Sequence, residues 1–342
     1  MNILRLFRLV VVICQGISIL VTWNLWQVRT MPPLLPALPL PAFDMAVILL
    51  LSLVLVLIRP RSGLIAHTAL LIYAMLTDQT RLQPEFVSLA FLMWGTLPRH
   101  SQDASKPPAP DANAQTIARF HLVALWTWAG INKLLSPVFL TSTGPQLAGV
   151  LLGFLPMSVL RYSGYAIALA ELALGILTLI PRTRKAAAVL ALVLHGGILL
   201  TLLTMHYNSA VWAWNAALAL AGFALVWDWR ENPLKTLKLR GWWVRAAAAV
   251  LLITPAGFYI GAFDAYLSHN LYSSNTARAE APVSTQITWT QLNVPLPPEH
   301  RLFEQFFQAT CRRAQVMLIR DTRPYFEVMG WGQRTIRCAP TE

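Results

Sequence analysis

The sequence predicts an all-α polytopic membrane bundle of about nine transmembrane helices, followed by a small α+β extracytoplasmic C-terminal domain. Three observations predict it. The 342-residue chain is 56% hydrophobic and only 12% charged, whereas ordinary soluble domains carry roughly 25% charged residues. Its mean hydropathy is +0.52. Long apolar runs recur from the N-terminus to about residue 263, after which the composition turns polar. The bundle is therefore assigned to 1–263 and the second domain to 264–342.

The first run, LRLFRLVVVICQGISILVTW, begins with basic residues and lacks a small-x-small cleavage site. It reads as a retained signal anchor spanning about 9–27. A proline-rich link (Pro32, Pro33, Pro36, Pro39, Pro41) follows. Further spans are expected at about 43–58, 63–77 and 86–97, with the polar turn DQTRLQPE at 78–85 between the last two. Residues 98–118, with Arg99, Lys106 and KPPAPDANA, read as an exposed connection. The fifth span, about 120–137, carries Lys133 inside its apolar run. The next stretch, 138–160, is interrupted by Gly144, Pro145, Gly153 and Pro156, so a re-entrant or interfacial helix is expected there. Spans at about 162–180, 186–204, 209–227 and 242–263 complete the bundle.

Charge sets the expected orientation. With the N-terminus in the cytoplasm, the inside loops collect Arg59, Arg61, Arg99, Lys106, Arg182, Arg184, Lys185, Arg230, Lys235, Lys238 and Arg240. The outside turns hold Arg29, Arg81 and Arg161. This positive-inside bias exists only if 138–160 does not cross, and it places the C-terminal domain outside. The net charge of +12 is then explained by cytoplasmic loops and anionic headgroups, and nucleic acid is not an expected partner.

In the tail, ITWTQLNVPLP reads as a strand, HRLFEQFFQATCRRA as an amphipathic helix, and VMLIRD and YFEVMGWG as strands. So small a domain gains from a staple, and an oxidising compartment would permit a Cys311–Cys338 disulfide. The alternative is two free thiols. No CxxC, HxxxH or HxxE pattern occurs, so no metal site is expected.

Ionisable and polar residues inside apolar runs are costly and point to function or to a partner. Lys133, Glu171, His195 and Asn215 lie within spans; Asp78, Arg81, His206 and Asn208 lie at their outer ends. Lys133 has two readings: it snorkels to headgroups, or it is held inside the bundle beside a partner, where a desolvated lysine can serve as a base. In the second reading Lys133 and His206 are the catalytic candidates. Asn208, Glu171, His195, Asp78, Arg81 and Asn215 are the candidate substrate-binding residues. Structural alternatives stand beside these. Asp78 and Arg81, three residues apart, can pair with each other. Gly196 and Gly197 can let helices approach closely, so that His195 bonds across an interface.

The segment WAGINKL at 128–134 resembles the AGxKKL pattern of vitamin K-dependent gamma-carboxylases and of the wider HTTM family of membrane proteins. ELALGILTLIPRTR at 171–184 and the histidine-bearing run that ends in MHYNS at 205–209 extend the resemblance over roughly 115–225. DoxX/MauE-like membrane proteins have a similar helix. The resemblance implies a bacterial inner-membrane location, a quinone or hydroquinone as the bound molecule, and Lys133 in the place of the base that deprotonates vitamin K hydroquinone. Position 132 is Asn, so the family's lysine pair is single here, and the tail is too short for a protein-glutamate carboxylase. Two functions are expected. One is a membrane protein acting on a quinone-like lipid. The other is a non-catalytic DoxX/MauE-like component supporting a periplasmic redox or assembly partner through the tail, which would need an exposed patch around Phe303, Phe306, Phe307 and Trp331.

Overall fold

In the computed structural model, residues 3–98, 111–280 and 286–339 are described. The chain is mostly helical and ends in a small three-stranded antiparallel sheet. Helix α1 (Ile3–Val21) leads, and a short 3-10 turn (Trp23–Trp26) finishes it. An α-hairpin of α2 (Ala46–Ile58) and α3 (Pro60–Thr77) follows, then α4 (Pro84–Gly95) and α5 (Ala112–Leu134). Beyond α5 come a π-turn and α6 (Gly144–Leu152), the single turn α7 (Met157–Leu160), then α8 (Ser163–Leu179) and α9 (Arg184–Thr204). Helices α10 (Trp212–Ala221), α11 (Pro233–Lys238) and α12 (Trp242–Ile253) complete the bundle, and a 3-10 extension (Thr254–Ile260) prolongs α12.

Five helical stretches among the described residues are long and apolar enough to cross a membrane: Ile3–Val21, Met157–Leu179, Arg184–Thr204, Ser209–Val226 and Trp242–Ile260. Counting Ala112–Leu134 with Phe139–Leu152 as one broken span makes six. The expected nine is not reached by this measure. The reason is length: α2 has 13 residues and α4 has 12, so each is about 20 Å long against a hydrocarbon core of about 30 Å. Helix α3 is longer but carries Arg61, His67 and Thr68 in its run.

The break at 138–160 was expected. The chain turns by 91° between α5 and the Phe139–Leu152 helix. Pro137 cannot donate to the preceding turn, so α5 ends there. The expected connection at 98–118 falls outside the described residues over 99–110. Its last part is helical, because α5 begins at Ala112. Asp111 caps that start by accepting from the backbone N–H groups of Asn113 and Ala114 at 3.0 and 3.2 Å.

The C-terminal domain sits on one end of the bundle. Asn293 donates to Val21 and Ser209, Gln83 to Pro295, and Arg301 to Gln79. The opposite end gathers Arg8 on Thr96, Arg61 on Asp111, and Arg184 on the carbonyls of Trp229 and Glu231. Strands β1 (Arg278–Glu280), β2 (Val316–Arg320) and β3 (Gln333–Arg337) pair in that order, with Leu318 opposite Glu280 and Thr335. Met317, Ile319 and Ile336 face Leu302, Phe303, Phe306 and Phe307 of α14 (His300–Thr310), forming the domain's core.

Two expected strands are helical instead. ITWTQL forms α13 (Ile287–Leu292), which buries Thr288 and Leu292 four residues apart, a helical spacing that its alternating pattern conceals. YFEV lies in α15 (Pro324–Val328), where Pro324 at the first helical position favours a helical turn over a strand. Cys311 and Cys338 are disulfide-bonded, with Cα atoms 5.9 Å apart, which fits the staple reading.

The domain carries a contact that weakens as pH rises. Glu299 precedes α14 and accepts from the Ala265 N–H at 2.6 Å. Burial, reinforced by Asp264, pushes its carboxyl up from 4.5 to about 7. The folded state therefore holds this proton more tightly than the unfolded chain. The resulting stability is present below pH 4.5 and is lost as pH rises to about 7. The melting temperature of the C-terminal domain is expected to fall across that window. Glu299→Gln keeps the acceptor and should flatten the slope; an unchanged slope in that variant would assign it to another group.

Candidate functional site: an apolar cavity with a buried ion pair

Helices α5 and α8 pack antiparallel and very close. A side chain at Gly175 would strike the Thr127 backbone, 2.9 Å from its nitrogen, so the crossing depends on that glycine. The approach brings Lys133, the penultimate residue of α5, to Glu171, midway along α8. Lys133 Nζ donates to Glu171 Oε2 at 2.7 Å, and both side chains are buried. The ammonium also lies 5.6 Å from the centre of the Phe139 ring, just past the bend. Lys133 therefore does not snorkel; it is paired.

The pair forms part of the wall of a cavity of about 430 Å³. Leu125, Leu147, Leu151, Ile167, Ile198 and Leu202 make its surface mainly apolar. Gly197 also lines it, and neither Gly196 nor Gly197 has an atom within 4 Å of where a side chain would begin. The two glycines leave room on α9; they do not bring helices together, contrary to the close-approach reading.

His195 and Asn215 face this cavity, but their polar atoms are committed to each other and to the wall. Trp126 Nε1 donates to His195 Nε2 at 2.9 Å, so the imidazole proton is on Nδ1, which donates to Asn215 Oδ1 at 3.1 Å. Asn215 Nδ2 donates to the Val211 carbonyl at 3.0 Å. His195 is thus a neutral cross-brace among α5, α9 and α10, with no ring nitrogen left for a ligand.

The remaining candidates divide. Asn208, in a left-handed turn (φ 49), is buried and hydrogen-bonds the Tyr272 hydroxyl; Tyr272, not Asn208, lines the cavity. His206 also adopts a left-handed conformation (φ 48), but its side chain is exposed and lies outside the cavity lining. The structure does not bring it to Lys133, because the reversal after α9 carries it to the surface. Asp78 and Arg81 are likewise absent from the lining. They form a separate buried cluster in which Arg29 Nη2 donates to Asp78 Oδ2 at 2.6 Å and Arg81 Nε lies 3.7 Å from the same oxygen. Among the described residues, no group of three or more His, Cys, Asp or Glu could hold a metal ion.

Three residues not chosen from the sequence complete the site. His269 and Tyr272 enter the cavity wall from the segment that follows α12, and both have left-handed backbones (φ 58 and 60). The His269 ring lies edge-on to His121, 5.6 Å between centroids. Asn132 ties this segment down: its Nδ2 donates to Ser268 O at 2.8 Å, its Oδ1 accepts from Tyr259 at 2.6 Å, and its carbonyl accepts from Asn275 at 3.1 Å. The signal was present in DAYLSHNLYSSN, dense in Tyr, Ser, His and Asn, but its polarity reads as the start of a solvated tail. No family model matches the chain, and neither a curated protein nor a solved structure matches it.

Proposed function

We propose that this chain is an integral membrane protein that binds a lipophilic molecule with a hydrogen-bonding head, of the quinone or hydroquinone class, in the Lys133–Glu171 cavity. A single observation carries the reading: a buried ion pair, 2.7 Å long, in the wall of a mainly apolar cavity of about 430 Å³. An apolar chamber with a few convergent polar groups is the usual form of a small-molecule site. The free valences of Lys133, Glu171 and the His269 ring are the groups on offer to a head group.

The pairing reassigns the roles expected from the HTTM resemblance. In this reading Lys133, which donates to the Glu171 carboxylate, is the cation of the pair and not the base. Glu171 would accept the proton of a hydroquinone-type hydroxyl, and the Lys133 ammonium would stabilise the oxyanion left behind. The proposed topology keeps the N-terminus and the basic end of the bundle in the cytoplasm, with the C-terminal domain outside. The experiment is mass spectrometry of lipids and quinones co-purifying with the wild type, with Lys133→Ala, and with Leu151→Trp, which narrows the cavity and leaves the pair intact. Loss of one lipophilic species from both variants is the expected result. Identical profiles in all three would end the reading.

The second reading, a non-catalytic DoxX/MauE-like component, drew on an aromatic patch for a periplasmic partner. Phe303, Phe306 and Phe307 are core residues of the domain, and only Trp331 of that patch is exposed. The three phenylalanines are therefore not available to a partner.

A further inference from the structure

Apart from Val316 on β2, the large exposed apolar residues described in the C-terminal domain are gathered on one turn. Val328 is 85% exposed, Trp331 53% and Met329 47%, and Tyr325 stands beside them with its ring edge-on to Trp331. Soluble surfaces carry such residues singly, so a cluster of this kind marks a contact.

The other side of the turn is bolted to the bundle. Arg323 Nη1 donates to the Phe258 carbonyl at 2.6 Å, and its guanidinium lies 4.5 Å from the Phe258 ring and 4.2 Å from the Phe326 ring. Asp321 fixes that guanidinium through both carboxylate oxygens, at 2.9 and 3.0 Å from Nε, and also bonds His300 at 2.8 Å. Phe326 packs over Gly261, whose φ of +71 ends the extension of α12 and whose side-chain direction is filled by that ring at 2.5 Å. The turn is therefore held where the last long apolar helix ends. Beyond Arg245 the exposed residues of that helix are apolar up to this point, among them Val250, Ile253 and Ile260. In a bilayer those residues meet acyl chains, and Phe326 of the turn packs on Gly261, the residue after Ile260.

We propose that the turn at 325–331 is an interfacial anchor that seats the C-terminal domain on the lipid surface. Tyr and Trp are the residues that membrane–water interfaces favour, their rings apolar and their polar edges wet. Val328 and Met329 supply the part that enters the acyl boundary. The occupant is lipid, because Arg323 and Phe326 hold the turn at Phe258 and Gly261, on either side of Ile260, where the exposed apolar residues of this helix end. This proposal does not depend on what the cavity binds.

The cysteine inventory makes the test clean. Cys14 is buried and Cys311 is bonded to Cys338, so one added cysteine labels alone. Val328→Cys in the full chain, carrying a nitrobenzoxadiazole probe, is reconstituted in phosphatidylcholine liposomes. The expected result is a blue-shifted emission that loses most of its intensity to nitroxide-bearing lipids and little to aqueous iodide. Quenching by iodide alone would show a water-exposed turn and overturn the proposal. Protection from both quenchers would place the turn against protein and overturn it equally. Met329→Cys repeats the measurement one residue on, should the first variant disturb disulfide formation.

Discussion

Lys133→Ala is expected to cost the folded protein about 3–5 kcal/mol, because it leaves the Glu171 carboxylate buried without a partner. Glu171→Ala strands the ammonium in the same way. The double variant Lys133→Met/Glu171→Leu removes both charges and fills a similar volume. It is expected to recover most of the loss, since well-packed apolar replacements of buried pairs are often neutral. Midpoints of unfolding in one detergent would show the pattern: two low singles and a near-native double. A double as unstable as either single would mean that packing, not charge, accounts for the cost. The same double variant should fail to retain the co-purifying molecule, which separates the stability of the pair from its proposed use.

Asp78→Ala is expected to destabilise the chain by about 3–5 kcal/mol for the mirror-image reason. Asp78 neutralises two guanidinium groups and also accepts from the backbone N–H groups of Leu35 and Thr80 at 3.2 and 3.1 Å. Arg81 in turn donates to the Leu25 and Gln27 carbonyls at 2.9 and 3.3 Å, and Arg29 to Thr80 Oγ1 at 2.9 Å. The cluster thus closes the end of α1 onto the turn between α3 and α4. Without the carboxylate, two like charges are left in a buried place. Asp78→Asn should fall between, because its amide oxygen can keep the backbone bonds but not the neutralisation. Co-purifying lipid should be retained by the folded fraction of both variants. Loss of lipid at unchanged stability would return Asp78 to the binding site.

That Lys133 needed either headgroups or a partner was legible, because charge inside an apolar run has few solutions. Which partner was not legible, since Lys133 lies near the end of its run and Glu171 midway along another. The helical runs, the break at Pro137 and the amphipathic α14 were legible from hydropathy and period for similar local reasons. Span number was less so: α2 and α4 are apolar enough, but only their observed ends show that they are short. The fates of His195 and His206 could not be read either. One is locked by Trp126 and Asn215, 69 residues before it and 20 after it. The other is carried outward by a two-residue reversal of backbone hand. Both outcomes are set by tertiary placement, which no local pattern encodes. ITWTQL shows the converse, a local alternation overridden by a helix that packs on the bundle end.

Asn132 and Lys133 are neighbours on one turn of α5 and face different parts of the structure. The first grips the segment that carries His269, and the second grips Glu171. A rotation of α5 that would release one grip also disturbs the other. The seal over the cavity and the charge inside it are therefore thermodynamically linked, and substitutions at the two positions should be non-additive in a double-mutant cycle. A single helix end thus serves as both latch and electrode, and neither role can be retuned while the other stays fixed.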